Sequence, residues 1–494
     1  MRHVLLALLF APAIAAAQSS AAVQRAVQSI TPADLRRRIA VIADDSMRGR
    51  DTPSPELEQT AAYIAREFRR VGLAPGGDNG TFVQRYPLVE FVGDSSAAFA
   101  HLPGGNAVSL AYGTDFLFAD NMFQSGDYTG ELVVLAGPLS GVSGDTAALA
   151  GKMLVVTGSV RSRAERQRIL AWRPAGVVLP NGASDSAWAQ FTARSRRPMR
   201  RDPTREPDVP AVLAIRNATL QPLLARLGID LAEQQRATSF SATPLRGAQL
   251  HVHARVRELA APNVVGVLQG SDARLQNEYV VFSAHMDHVG VGRAVNGDSI
   301  YNGADDDASG TISVVELAEA FARLRPRPKR SMIFLTVSGE EKGLWGSAYF
   351  AANPPVPTGN MVANLNIDMV GRNWKDTVVV IGKEHSDLGA TLHRVAAAHP
   401  ELNMSPIDDP WPQERFYVRS DHYNFAREGV PILFFFSGTH ADYHRPSDSP
   451  DKIDAEKQAR IVKLVFYLGL EVANAAERPK WNPDSYKRIV TGSD

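Results

Sequence analysis

Short apolar runs alternate with amphipathic stretches throughout the second half of the chain. The amphipathic stretches have apolar residues at helical spacing and predict helices at Ala308–Leu324, Ser386–Ala398 and Asp454–Ala475. The runs have the length and the continuous apolar character of buried strands, and they lie at Asn263–Leu268, Tyr279–Ala284, Ser331–Val337, Val362–Ile367, Thr377–Ile381 and Pro431–Phe436. This order predicts an α/β fold with a mostly parallel, doubly wound sheet and helices on both faces.

The first half of the chain has a different pattern. Helical spacing at Pro55–Gly72 predicts one core helix, and Phe82–Val92 has the pattern of a strand. From about Phe118 to Thr243, short strands alternate with Gly, Ser and Asp turns, without clusters of histidine and carboxylate residues. We therefore predict an N-terminal part of the catalytic domain at 18–117, a smaller β-rich inserted domain at 118–245 and the main catalytic domain at 246–494.

The first 17 residues have the pattern of a signal peptide. Arg2 and His3 precede the apolar run Val4–Ile14, and three alanines before Gln18 give the small-x-small pattern of signal-peptidase cleavage. The alternative is a short membrane anchor, but this run is shorter than the ~20 residues that span a bilayer. We predict export to the periplasm or the extracellular space, without stable membrane association.

Composition narrows the possible chemistry. The 494 residues carry a formal net charge of zero and include no cysteine. Nucleic acid is therefore not an expected partner, and the basic run Arg194–Arg205 is interpreted as a solvated loop. Without thiolates, any metal must be held by His, Asp and Glu side chains.

Acidic and histidine side chains follow four of the predicted strands at the point where each strand ends. Because ligands bind at the carboxyl ends of the strands in open α/β sheets, these side chains form a candidate site. They are His285 with Asp287, Glu340 with Glu341, Asp368, and His444.

Two further features point to a metal. Asp305–Asp307 form a run of three aspartates in a glycine-rich loop, where unpaired carboxylates would repel one another unless a cation or solvent compensated them. Glu340 and Glu341 are adjacent and cannot point the same way on a strand or a helix. We therefore expect one of these glutamates to bind metal and the other to transfer protons.

Five motifs in this part of the chain resemble, in order and spacing, those of the M28 metallopeptidases, a family of co-catalytic zinc aminopeptidases. The resemblance runs from about Ala261 to Leu470 and extends more weakly upstream through DSMRGRDTPSPELEQTAAYIAREF. The inserted block resembles a protease-associated (PA) domain in its position in the chain and in its alternation of short strands and turns. The motifs are HMDHVG, NGADDDASG, SGEEKGLWGS, NIDMVGR and DYHRPSD.

The resemblance implies two zinc ions per chain, with Mn²⁺ or Co²⁺ as possible substitutes. It implies that Asp305 bridges the ions, that His285 and Asp368 complete one site, and that Glu341 and His444 complete the other. Glu340 becomes the general base. The family also implies a cis peptide bond between Asp305 and Asp306.

Supporting roles follow from the same comparison. Asp287 is expected to orient the imidazole of His285, and Tyr443 to hydrogen-bond the tetrahedral intermediate. His288 is interpreted as a residue that lines the site or forms hydrogen bonds to the metal ligands, because its family counterpart is not a ligand. His422 and His440 are rivals of His444 that do not follow the family's tyrosine-histidine step, and the segment Ser420-Asp421-His422 is expected to be scaffold.

These features predict a secreted aminopeptidase that releases one N-terminal residue from peptides. The acids Asp408, Asp409 and Glu414 are candidates to bind the substrate ammonium group. Carboxypeptidase and glutaminyl-cyclase activities occur on related scaffolds and remain alternatives. A non-catalytic binding protein is a further alternative, although every ligand position is filled in this sequence.

Overall fold

The computed structural model describes residues 21–492, apart from 92–96, 120–124, 143–145, 159, 161, 196–198 and 203–209. These residues form two compact units. The first consists of the described residues up to Tyr86 and from Ala260 onward, and the second of those within Pro87–Leu259. The second unit is thus wider at both ends than the predicted insert at 118–245, and the predicted signal peptide lies outside the described residues.

The first thirteen strands are β1 (Ala74–Pro75), β2 (Val83–Phe91), β3 (Ala97–His101), β4 (Val108–Leu110), β5 (Phe116–Phe118), β6 (Gly126–Ala136), β7 (Met153–Val156), β8 (Gly176–Asn181), β9 (Met199–Arg201), β10 (Ala211–Arg216), β11 (Ser241–Ala254), β12 (Val256–Leu268) and β13 (Tyr279–His285). The remaining strands are β14 (Val291–Val295), β15 (Asp298–Ile300), β16 (Ser331–Val337), β17 (Met361–Ile367), β18 (Thr377–Ile381), β19 (Ser405–Ile407) and β20 (Ile432–Phe436).

Residues 21–28 are helical. The helices after them are α1 (Pro32–Ile42), α2 (Pro55–Arg70), α3 (Arg163–Ala171), α4 (Asp185–Ser195), α5 (Asn217–Ala225), α6 (Leu231–Gln235), α7 (Gly310–Ala322), α8 (Trp345–Ala352), α9 (Leu388–Ala398), α10 (His422–Arg427), α11 (Ala455–Asn474) and α12 (Pro483–Ile489).

The first unit is built on a mixed sheet whose centre is parallel. The strand order is β19-β18-β20-β17-β13-β16-β12-β2. Neighbours from β20 to β16 run parallel, whereas β12 is antiparallel to β16 and β18 is antiparallel to β20. The predicted α/β fold is confirmed, and each of these antiparallel pairs joins an outer strand to the edge of the four central parallel strands.

Alternate side chains of the central strands enter two different cores, as the period of two requires. Phe282 and Phe334 stack with ring centroids 5.3 Å apart and belong to the core that α7 and α11 cover. Val281 and Ile333 point to the opposite face and pack in the core that includes Phe425 of α10. The sheet is therefore buried on both sides, which explains why its strands are continuous apolar runs.

Local sequence signals set the ends of the helices. Ser54 caps α2 by accepting a hydrogen bond from the main-chain N–H of Leu57, and Pro55 occupies the first helical position. Asp454 caps α11 in the same way through Lys457. Among the described residues, no helix combines the length and the apolar character needed to cross a bilayer.

The second unit contains an eight-stranded sheet with the order β4-β3-β11-β6-β7-β8-β10-β5. Its centre, β6-β7-β8-β10, is parallel, and the flanking strands are antiparallel. Val134 and Val155 pack in one core while Val133 and Leu154 pack in another. This unit therefore has a buried sheet of its own.

Candidate metal centre

The candidate site lies where the central parallel strands of the first unit end. His285 is the last residue of β13, and Asp368 follows β17 directly. Glu340 and Glu341 come three and four residues after the end of β16, and His444 lies in the loop after β20. The parallel order β20-β17-β13-β16 brings these ends to one edge of the sheet, as the sequence predicts.

Asp306 lies between two groups of metal-binding side chains. In the first group, Nε2 of His285 lies 3.3 Å from Oδ1 of Asp306 and 3.5 Å from Oδ1 of Asp368. In the second group, Nε2 of His444 lies 3.0 Å from Oδ2 of Asp306 and 3.1 Å from Oε2 of Glu341. Within each group, the candidate ligand atoms all lie within 4.8 Å of one another. One carboxylate therefore offers one oxygen to each group.

This geometry corrects the expectation for Asp305. Its Oδ1 accepts a hydrogen bond of 2.6 Å from the main-chain N–H of Gly371, and its Oδ2 lies 3.2 Å from Nε2 of His440. The backbone directs this side chain away from both groups, and Asp306 instead belongs to both of them. The cis peptide bond is likewise one residue later than expected, between Asp306 and Asp307.

The loop around Asp306 is held by carboxylates on either side of it. Asp307 accepts hydrogen bonds from the main-chain N–H groups of Gly310 at 2.8 Å and Met369 at 3.1 Å. Oδ2 of Asp448 accepts from the main-chain N–H groups of Asp305 at 3.0 Å and Asp306 at 3.1 Å. These bonds fix the main chain on both sides of Asp306.

Buried polar atoms at the centre of the site lack hydrogen-bond partners. Within the described residues, these atoms are Oδ2 of Asp306, Oε1 of Glu341, Oδ1 of Asp368 and both ring nitrogens of His288. A buried unpartnered carboxylate oxygen is costly unless a cation compensates it. The mixture of imidazole and carboxylate ligands suits zinc and also Mn²⁺ or Co²⁺. The residues therefore fit the metal that the sequence predicts.

Glu340 is not part of either metal-binding group and lines the pocket beside them. Burial raises the pKa of Glu340 well above its usual value, and the nearby carboxylates of Asp421, Glu341 and Asp368 raise it further against the opposing effect of His285. A raised pKa suits a group that accepts a proton and then returns it.

Asp287 contacts His285 chiefly through its main chain. Nδ1 of His285 is 3.2 Å from the carbonyl oxygen of Asp287 and 3.7 Å from its carboxylate Oδ1. The carboxylate itself accepts hydrogen bonds from Oγ1 of Thr52 at 2.8 Å and from the main-chain N–H of Glu340 at 3.4 Å. Asp287 therefore links the loop after β13 to the loop that carries the glutamate pair.

The pocket beside these groups is lined by apolar side chains, which include Met369, Phe434 and Phe436, and by Tyr443. Burial raises the pKa of the Tyr443 hydroxyl well above its usual range, so this group remains a hydrogen-bond donor at neutral pH. Tyr443 also stacks on His444, with ring centroids 3.9 Å apart. The lining includes Met369, Phe416, Phe434, Phe436, Arg419, Thr439 and Tyr443.

The acids considered for the substrate ammonium group lie elsewhere. Asp408 and Asp409 line a different cavity, and Asp408 pairs with Lys383 at 2.7 Å. Glu414 is exposed and lies 3.3 Å from Nη1 of Arg419, which itself lines the pocket.

The three other histidines considered for the site, His422, His440 and His288, lie in different surroundings. Nε2 of His422 is 2.8 Å from the carbonyl oxygen of Tyr417, and burial lowers the pKa of His422 to about 3, which keeps its ring neutral. His440 contacts Asp305. His288, by contrast, lies within the second group beside Glu341 and His444, and the sequence signal for this was only its spacing of three residues from His285.

Comparison with known proteins finds similarity to one peptidase family in this part of the chain. The profile of peptidase family M28 matches residues 263–469. A protein from Pyricularia oryzae described as a "Probable zinc metalloprotease" is 40% identical over 258 residues, which cover 43% of this chain and 50% of that protein. A "Probable leucine aminopeptidase" from Trichophyton verrucosum is 27% identical over 222 residues, covering 43% of this chain and 58% of that protein.

The solved structure of an aminopeptidase from Aneurinibacillus sp. strain AM-1 superposes with a TM-score of 0.49 at 20% identity, over 92% of this chain and 97% of that one. The chain spans about half the length of the curated relatives it matches. The profile match covers β13, β16, β17 and β20 together with both metal-binding groups. Residues 263–469 are therefore similar to peptidase family M28, whose profile they match.

Proposed function

We propose that this protein is an exported metallo-aminopeptidase that holds two zinc ions and hydrolyses the N-terminal peptide bond of peptides. The observation that carries the proposal is the position of the Asp306 carboxylate, whose two oxygens lie 3.3 Å from His285 and 3.0 Å from His444. A carboxylate shared by two such groups can hold two divalent ions close together, as a two-metal site needs.

His285 and Asp368 would hold one ion, Glu341 and His444 the other, and Asp306 both. When bound, the ions would lower the pKa of the attacking water and polarise the scissile carbonyl. Glu340 lines the pocket without belonging to either group, so its carboxylate is free to take a proton from that water and deliver it to the leaving amine. Tyr443, protonated at neutral pH, donates a hydrogen bond to the oxyanion of the tetrahedral intermediate.

Two features favour cleavage at the amino terminus. The carboxylate of Glu340, which belongs to neither metal-binding group, lines the pocket and would attract a substrate ammonium group. The apolar wall of Met369, Phe434 and Phe436 suits a first residue with an apolar side chain. The description of relatives as leucine aminopeptidases agrees with both features.

A carboxypeptidase is the second candidate, because the guanidinium of Arg419 also lines the pocket. Arginine pairs well with a carboxylate, including a peptide's C-terminal group. The nearby Glu414 carboxylate, 3.3 Å from Nη1 of Arg419, partly neutralises the guanidinium charge. This makes a carboxypeptidase the less favoured candidate.

A series of one tripeptide with free ends, with an acetylated amino terminus and with an amidated carboxyl terminus separates these activities. We expect release of the first residue from the free and the amidated forms and none from the acetylated form, with loss of turnover after metal chelation. Release of the last residue, blocked by amidation, would instead establish the carboxypeptidase. Glu340→Gln protein prepared in parallel controls for contaminating peptidases.

Two further proposals concern the rest of the chain. We propose that the unit Pro87–Leu259 is a PA-like domain, which its position within the peptidase sequence supports. We propose that export removes residues 1–17. Amino-terminal sequencing of protein recovered outside the cytoplasm should then begin at Gln18.

A further inference from the structure

His288 is a buried histidine whose ring nitrogens are unaccounted for. Its side chain is fully buried, and neither Nδ1 nor Nε2 has a hydrogen-bond partner in the part of the chain that the structure describes. Nδ1 nevertheless lies 2.8 Å from Oε1 of Glu341 and 3.7 Å from Oδ2 of Asp306. Both of these carboxylate oxygens also lack hydrogen-bond partners in this part of the chain. The contact with Glu341 thus has the distance but not the direction of a hydrogen bond.

The ring of His288 is packed into a fixed position. Its main-chain N–H donates to the carbonyl oxygen of Arg50 at 3.3 Å. Gly303 packs directly against the ring, since a Cβ at that position would lie 2.5 Å from Cγ of His288. The ring meets that of His444 edge-on, with centroids 5.5 Å apart. Because the ring is held in this way, the positions of its two nitrogen atoms are fixed before any metal ion binds.

We propose that His288 is an additional ligand of the second metal ion, together with Asp306, Glu341 and His444. One candidate ligand atom from each of these four residues lies within 4.8 Å of the others, whereas the first group consists of His285, Asp306 and Asp368. The proposal rests on the two-ion site of the proposed function. It implies that the two ions are held by different numbers of protein ligands, so the second ion is the more tightly held.

Zinc titration of chelator-stripped protein against a competing chromophoric chelator tests this assignment. We expect wild type to bind two ions of unequal affinity. His288→Ala should weaken binding of the tighter ion by more than ~100-fold, beyond the ~10–100-fold that loss of an outer hydrogen bond alone produces. The matched control is His385→Ala, since His385 is a buried histidine outside both groups whose Nδ1 lies 3.0 Å from Oγ of Ser485. The control should leave both affinities unchanged.

A second variant separates a ligand from a hydrogen-bond support. His288→Asn keeps a donor for Glu341 but loses the imidazole, so it should not restore zinc affinity, and zinc-edge X-ray absorption should report loss of one imidazole per chain in both variants. Restoration of affinity by His288→Asn, or an imidazole count equal to wild type, would overturn the assignment. If wild type binds both ions but cleaves no peptide, the proposed function fails while these measurements still decide the role of His288.

Discussion

The carboxylates of Asp305 and Asp306 are adjacent in sequence and serve different parts of the structure. Oδ2 of Asp306 lies 3.0 Å from Nε2 of His444, inside the second metal-binding group. Oδ1 of Asp305 instead accepts a hydrogen bond from the main-chain N–H of Gly371 at 2.6 Å. A single step along the chain thus separates a candidate metal ligand from a residue that fixes a neighbouring loop.

Asp306→Asn should remove metal from both sites. The amide is nearly isosteric but has no charge to share between two cations, so we expect both zinc affinities to fall and turnover to drop by ~10²-fold or more. Metal analysis after dialysis, together with peptide turnover at saturating zinc, measures both effects.

Asp305→Asn is the matched control, because its amide oxygen can still accept from Gly371. It should keep two ions and most of the activity. If Asp305→Asn loses zinc and Asp306→Asn retains it, the bridging carboxylate is Asp305 after all.

The same kind of experiment should distinguish the roles of the adjacent residues Glu340 and Glu341. Glu340→Gln loses only a proton carrier, so we expect turnover to fall by ~10²–10⁴-fold while zinc content and thermal stability stay near wild type. Glu341→Gln removes a charged ligand, so one site should bind zinc more weakly and added zinc should restore part of the activity. Loss of zinc from Glu340→Gln, or its full activity, would reverse the roles of base and ligand.

How far the sequence predicts the site is clearest at these positions. Apolar runs that end in metal-binding residue types identify His285 and Asp368 as strand ends, because the carboxyl ends of buried strands in an open α/β sheet are where ligands bind. The choice among three consecutive aspartates has no such signal. It depends on the backbone path, with Asp306 in a non-helical conformation at φ −103° and ψ 95°, which identical side chains do not reveal.

In the fold, too, some features can be predicted from the sequence and others cannot. The bounds of β16 and β18 agree with the predicted runs at both ends, since each run is largely apolar and bounded by polar residues or glycine. Strand direction is less visible, because an apolar run has the same pattern in either direction. The antiparallel placement of β12 and β18 is decided by the connections and packing around them.

Arg50 should be among the residues on which stability depends most. It is fully buried and donates to the carbonyl oxygens of Met286 at 2.8 Å, Ile42 at 2.7 Å, Asn302 at 2.6 Å and Gly303 at 3.0 Å. Burial lowers its pKa to about 10, which still leaves it charged at neutral pH. Because Arg50→Met leaves these carbonyls unpaired, we expect a loss of ~3–5 kcal/mol in the free energy of unfolding.

Urea unfolding of the metal-free protein measures this loss. The control is Arg36→Met, since Arg36 is 53% exposed and pairs with Glu456 at 3.4 Å, a kind of contact that contributes little. A change below ~1 kcal/mol for Arg50→Met, or equal changes for both variants, would contradict the role given to Arg50.

Glu319 should make the stability of the first unit depend on pH in the acid range. It lies on α7 and receives hydrogen bonds from Arg38 of α1, Arg70 of α2 and Arg323. Burial alone would raise the pKa of Glu319, but these arginines outweigh it and hold the pKa at about 2, compared with 4.5 for an unperturbed glutamate. The folded state therefore favours the ionised carboxylate.

A carboxylate whose pKa is lowered by folding contributes its full stabilisation above its unfolded pKa and loses it as the pH falls towards its folded pKa. Glu319→Gln should therefore lower the free energy of unfolding by ~2–3 kcal/mol at pH 7, and the gap to wild type should close between about pH 4.5 and 2. Urea titrations of both proteins in metal-free form across this range measure the gap. Glu456→Gln, at a side chain 67% exposed, should show almost no gap at any pH. A Glu319→Gln gap that stays constant down to pH 2, or widens on acidification, would contradict the three-arginine explanation.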